Sequence, residues 1–172
     1  MVDFRERIEE NDTSFERLRR MVPGFEGYHQ REMRRTADRM LRDRLVQVLG
    51  EARSDLQRLM EDVARSARLA RLNDLERVSK RLATASDQIR YADYGATGLF
   101  DAVQIREEAL DRVYDYDESL MRFVDEVVRA ARALAAAGDG DYDARLKALS
   151  DAVDELGTMV RDRENVFATL TP

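Results

Sequence analysis

The sequence predicts an all-α fold: an elongated, antiparallel (up-down) bundle of four main helices with coiled-coil-like seams, preceded by an N-terminal helical arm. Three observations carry this expectation. Proline occurs twice in 172 residues, at Pro23 and Pro172, and glycine eight times, so few positions oblige the backbone to break. Charged residues make up 37% of the chain, which suits helices with a broad solvated face and a narrow apolar seam. Apolar residues recur at helical spacing over most of the length. One domain accommodates all of it, with residues 1–24 as the arm and 25–172 as the bundle.

In the arm, Phe4 and Ile8 share a face, and Thr13-Ser-Phe-Glu16 has the form of a capping box that opens a turn series through Phe15, Leu18 and Val22. Pro23-Gly24 ends it. A helix from Tyr28 to Leu72 is expected next. Its apolar triplets, Leu41/Leu45/Val48, Ala52/Leu56/Leu59 and Val63/Ala67/Ala70, repeat every 11 residues and pass Gly50 without slipping. That period gives a nearly straight helix, and its length would be about 65 Å.

Asn73-Asp-Leu-Glu76 has the spacing of a helix start, so a tight turn is expected at 72–74. The following seam is Leu75, Val78, Leu82, Ala85 and Ile89. Asp101-Ala-Val-Gln104 can cap a third helix running to Ala137. Its seam is Val103, Arg106, Leu110, Val113, Asp117, Leu120, Val124, Val127, Ala131 and Leu134. After Gly138-Asp-Gly140 the last helix carries Leu146, Leu149, Val153, Leu156, Val160, Arg163 and Phe167. The short connections at 72–74 and 138–141 predict antiparallel neighbours.

Composition narrows the chemistry. There is no cysteine, which excludes disulfides, thiolate metal sites and cysteine nucleophiles, and there is one histidine. No Gly-x-Ser-x-Gly elbow, phosphate loop or dinucleotide fingerprint occurs. The start lacks the pattern of a signal peptide and no run is long enough to cross a bilayer, so a cytoplasmic protein is expected. The net charge of −6 is uneven: residues 31–90 sum to +5 and residues 91–172 to −9. A nucleic-acid or membrane surface is one reading. The favoured one packs basic early helices beside acidic late ones, with Asp38/Arg42 and Glu61/Arg65 self-paired on a solvated face.

Three groups of residues are candidate sites. Tyr91–Asp101 interrupts the helical pattern with Tyr91, Asp93, Tyr94, Gly95, Gly98, Phe100 and Asp101. Aromatics beside glycines with polar tips suit an interface anchor, and Phe25 and Tyr28 are expected to join them in one patch. Arg106, Asp117 and Arg163 place charges in apolar seams, where each must find a partner or reach water. Glu26 and His29 have the Glu-x-x-His spacing of carboxylate-bridged bundles, but a single copy is present and Gly27 lies inside it. Asp139-Gly-Asp-Tyr-Asp143 fails as a calcium loop, because Ala144 and Ser150 stand where the glycine and the bidentate glutamate are needed.

The function expected from these residues is that of a non-enzymatic, self-associating scaffold or adaptor with a protein partner and no cofactor. A metal-binding bundle and a peripheral nucleic-acid or membrane binder are the alternatives.

Overall fold

The computed structural model describes residues 13–66, 68–92 and 105–169, with the side chains of 164 and 167–169 outside the description. The described residues form five α-helices, α1 (Ser14–Met21), α2 (Arg34–Arg65), α3 (Leu69–Tyr91), α4 (Glu107–Ala135) and α5 (Tyr142–Thr169), and a short 3-10 turn (Arg31–Met33) that leads into α2. There is no strand among them, and none of these helices is long and apolar enough to cross a membrane.

α1 begins on its capping box. The Thr13 hydroxyl accepts from the Glu16 amide at 3.3 Å, and the Thr13 amide donates to Glu16 Oε2 at 2.9 Å. α2 runs through Gly50 but ends at Arg65, making it about 48 Å long. The next helix already begins at Leu69, so the break does not fall at 72–74. Ser66 closes the end of α2 through its amide to Asp62 O and its hydroxyl to Val63 O. The earlier turn adds a turn of helix to the start of α3, from which Arg68 and Arg71 reach Asp139 and the Arg71 guanidinium lies 4.1 Å from the centre of the Tyr142 ring. Asn73 and Asp74 lie inside α3, and Asp74 pairs with Arg77 instead of capping. Likewise α4 starts at Glu107 with Arg106 as its N-cap residue, later than a start on Asp101, which lies outside the described residues.

α2 packs on α3 and α4, α5 packs on α3 and α4, and α1 lies on α4. Contacts set the directions. Arg42 near the start of α2 donates to Arg90 O at the end of α3, and Arg163 late in α5 meets Asp117 early in α4, so both turn-linked pairs run antiparallel. Across the pairs the sense is the same. Arg71 and Arg81 on α3 meet Tyr142 and Asp154 on α5 in sequence order, and the start of α2 lies by Tyr114 while Glu51 meets Arg132. Two antiparallel hairpins thus lie side by side with like-directed helices in contact.

The seams form the core. Leu41, Leu45, Val48, Ala52, Leu56 and Val63 are buried and Leu59 is half-buried. Ala70 is exposed because it belongs to the first turn of α3, and Ala67 lies outside the described residues. All five α3 seam residues, Leu75 to Ile89, are buried. So are Leu110, Val113, Asp117, Leu120, Val124, Val127, Ala131 and Leu134 on α4, and Leu149, Val153, Leu156, Val160 and Arg163 on α5.

Candidate functional site

At the level where α3 ends and α4 begins, the core is not wholly apolar. Arg163, on the buried stripe of α5, faces two carboxylates. Its Nε donates to Asp117 Oδ1 at 2.7 Å and its Nη2 to Asp117 Oδ2 at 3.2 Å. Its Nη1 stands 2.9 Å from Asp38 Oδ1 on α2. That distance is an ion pair without hydrogen-bond alignment, so Oδ1 is held by charge attraction alone. The other Asp38 oxygen accepts from Arg42 Nε at 2.9 Å. Asp38, Asp117 and Arg163 are buried. Two acids and two guanidiniums leave the cluster formally neutral, which is the condition under which charges are tolerated in a core.

Tyr28 closes the cluster. Its hydroxyl donates to Asp117 Oδ2 at 2.8 Å and accepts from Arg163 Nη2 at 3.3 Å. Burial, followed by the charge of Asp117, pushes the Tyr28 phenol well above its ordinary value, so it stays protonated and remains a donor. Burial also pushes the Asp117 carboxyl up, against the pull of Arg163. For Arg163 burial acts downward, but Asp117 and Asp38 outweigh it and hold the guanidinium well above its ordinary value. Both values rise, with opposite consequences for charge: burial favours the neutral carboxyl at Asp117, whereas two carboxylates favour the charged guanidinium at Arg163.

Residues 13–33 cross this end of the bundle and deliver Tyr28. Gly24 and Gly27 take φ of 79° and 83°, a left-handed conformation that glycine adopts without strain. The turn directs Phe25 and Tyr28 inward. Tyr28 stacks on Tyr114 with ring centres 5.5 Å apart and planes at 17°, and Phe15, Phe25 and His29 surround the pair. The Tyr28 amide donates to the Tyr114 hydroxyl at 2.7 Å. Burial pushes that phenol up to about 12. Two further contacts tie the segment to α4: Ser14 Oγ donates to Asp115 at 2.5 Å, and Arg17 makes a two-pronged bridge to Glu118 at 2.7 and 2.8 Å.

Glu118 makes this attachment acid-sensitive. Burial alone would push its carboxyl up, but the hydrogen bonds from Arg17 and the charges of Arg122 and Arg17 outweigh it and hold Glu118 below the ordinary glutamate value. A depressed carboxyl contributes stability that is complete above its unfolded pKa, about 4.3, and lost as pH falls through the lower folded value. Amide exchange across 13–22 should therefore accelerate as pH drops below about 4.5, after correction for intrinsic rates. Glu118→Gln should remove most of that dependence; an unchanged profile would rule out this bridge as its source.

The candidate residues named from sequence are distributed as follows. Asp117 and Arg163 meet. Arg106 is exposed at the start of α4 and takes no part in the cluster. Phe25 and Tyr28 are interior, so they do not form a surface patch with 91–101. The cause is the pair of positive-φ glycines and the polar partners waiting for the Tyr28 hydroxyl. Tyr91 is 71% exposed at the last residue of α3. Asp93, Tyr94, Gly95, Gly98, Phe100 and Asp101 lie outside the described residues. Glu26 and His29 are exposed in a non-helical segment, where a three-residue spacing does not place two side chains on one face. Among the described residues no group of three His, Asp or Glu side chains could hold a metal ion.

Asp38 was legible but misplaced. It pairs with Arg42 as its spacing suggests, yet Asp38 itself is buried and Arg42 half-buried, so the pair spans from core to surface and does not lie on a solvated face. Counting the α2 seam back from Leu41 by three residues lands on Asp38, so the periodicity itself carried the signal. Arg65 pairs with Asp62 instead of Glu61. Some of the uneven charge is answered between the halves, where Arg68 and Arg71 meet Asp139 and Arg81 meets Asp154, while Arg132 and Glu51 pair in the opposite sense.

Comparison with protein-family models, with curated proteins and with solved structures returned no match.

Proposed function

We propose that the chain is a non-enzymatic helical scaffold or adaptor that self-associates and holds a protein partner at the end of the bundle where α3 terminates. The observation that carries this reading is Tyr91. It is a large aromatic standing 71% exposed, and it lines an open groove of about 530 Å³ with Thr84, Gln88, Ala92, Val160 and Arg161. An amphipathic ring beside a groove of mixed polarity is the usual composition of an interface anchor. The buried cluster points away from catalysis. Asp38, Asp117 and Arg163 are buried and spent on one another, which suits setting the register of helices.

A photo-crosslinking residue at position 91, with Arg58 on the exposed side of α2 as the control position, tests the reading. Adducts specific to position 91 are expected, either with a second copy or with another protein. A captured protein, once purified, must bind the wild-type chain and lose about tenfold in affinity for Tyr91→Ala. Adducts equal at both positions or absent from both, or binding indifferent to Tyr91→Ala, would overturn it.

A further inference from the structure

The face of α4 covered by residues 14–28 has the attributes of a docking groove with a known occupant. α1 lies on it in parallel and in register. Ser14 meets Asp115 and Arg17 meets Glu118, each pair offset by 101 positions, so a donor pair three residues apart reads an acid pair three residues apart. Beyond these contacts Leu18, Val22, Phe25 and Tyr28 are buried. The chain then turns back at Gly24 and returns to α4 at Tyr114 and Asp117. The start of α2 supplies the other wall, through Arg44 Nε to Met21 O at 3.0 Å and Arg34 Nε to Tyr28 O at 2.8 Å. The strap joins α2 through His29, Gln30, Arg31 and Glu32, all exposed.

We propose that residues 14–28 are an exchangeable strap, and that the α4 face they cover is the docking surface through which a second copy of this chain associates. The proposal deepens the self-association suggested above and rests on it. The occupant that fits the groove is encoded in every copy. Strap-in and strap-exchanged forms have the same contacts and differ at the exposed hinge and in chain entropy. Intrachain closure has the advantage of a local concentration in the millimolar range for a short tether. Exchange therefore grows as the protein concentration approaches that range, and a shorter hinge favours it.

The absence of cysteine from the chain permits a clean test. Full-length Ser14→Cys and Asp115→Cys chains, each checked for wild-type helix content, are mixed at rising concentration and treated with a short thiol–thiol crosslinker. Neither variant can crosslink a 14–115 pair within itself. Exchange gives an interchain adduct that rises with dimer content measured by light scattering and exceeds an Arg58→Cys/Asp115→Cys mixture by about tenfold. Should the cysteine variants lose helix content, the wild-type chain with Gln30 and Arg31 deleted provides the second test: it is expected to be mainly dimeric. Dimers without the 14–115 adduct, or a monomeric hinge deletion, overturn the exchange and leave self-association standing. No dimer at any concentration overturns both.

Discussion

Arg163→Met lowers the stability of the folded chain by about 3–5 kcal/mol, because it strips Asp117 and Asp38 of the charge they share in the core. Methionine fills most of the volume, so the loss is electrostatic and not a cavity. For a domain of this size it corresponds to a fall in Tm of roughly 6–20 °C. The pH dependence identifies the cause. Burial already pushes Asp117 up in the wild type, and removing Arg163 removes the first of the opposing influences. A carboxyl raised above its unfolded value penalises the fold at high pH, and the penalty is relieved as pH falls through the folded value. The variant should therefore gain stability relative to the wild type as pH falls from neutrality, before Glu118 begins to protonate. Adding Asp117→Asn to Arg163→Met should cost less than the sum of the two single changes. Urea unfolding followed by far-ultraviolet circular dichroism measures all of this. A loss below about 1 kcal/mol would mean that water reaches the cluster.

Gly27→Ala is the second large effect, at about 2–5 kcal/mol. Its φ of 83° costs any side chain strain of about 1–2 kcal/mol. A Cβ there would also stand 2.6 Å from the Phe15 ring and 2.6 Å from the Tyr114 hydroxyl. Neither neighbour can yield easily, since Phe15 is wedged among Phe25, His29 and Tyr114, and the Tyr114 hydroxyl holds the Tyr28 amide. Gly24→Ala is the internal comparison. It has similar strain at φ 79°, but its Cβ would meet only the terminal methyl of Met40 at 2.7 Å, which can swing aside. It should cost about 1–2 kcal/mol. Equal losses would show that strain, not the aromatic cluster, governs both. Thermal melting with near-ultraviolet circular dichroism, which reports the tyrosines, separates the two outcomes.

The helices and their inward faces were legible because burial leaves a local trace. A residue three or four positions from a buried leucine faces the same way, and α3, α4 and α5 follow that rule through Asp117 and Arg163. Even the buried charges were visible as polar residues in apolar slots. The partners were not. Asp117 and Arg163 are 46 positions apart, and Tyr28 reaches Asp117 across 89. Nothing in the spacing of either helix states which slot faces which. Arg106 illustrates the limit: it continues the α4 seam on paper, yet the helix begins one residue after it.

What the sequence by itself determined is the all-α class, the seams and the capping box at Thr13, since each follows from interactions within a few residues. The tertiary structure alone decided three things. It ended α2 at Arg65 and started α3 at Leu69, from which end Arg68 and Arg71 reach Asp139 and Tyr142. It set like-directed helices side by side between the two hairpins. It drew Tyr28 inward to complete the Asp38–Asp117–Arg163 cluster. The physical reason is that each rests on contacts between residues far apart in the chain, and local periodicity carries no record of such a partner; for the Asp38–Asp117–Arg163 cluster the partner is obligatory, because its charges are buried.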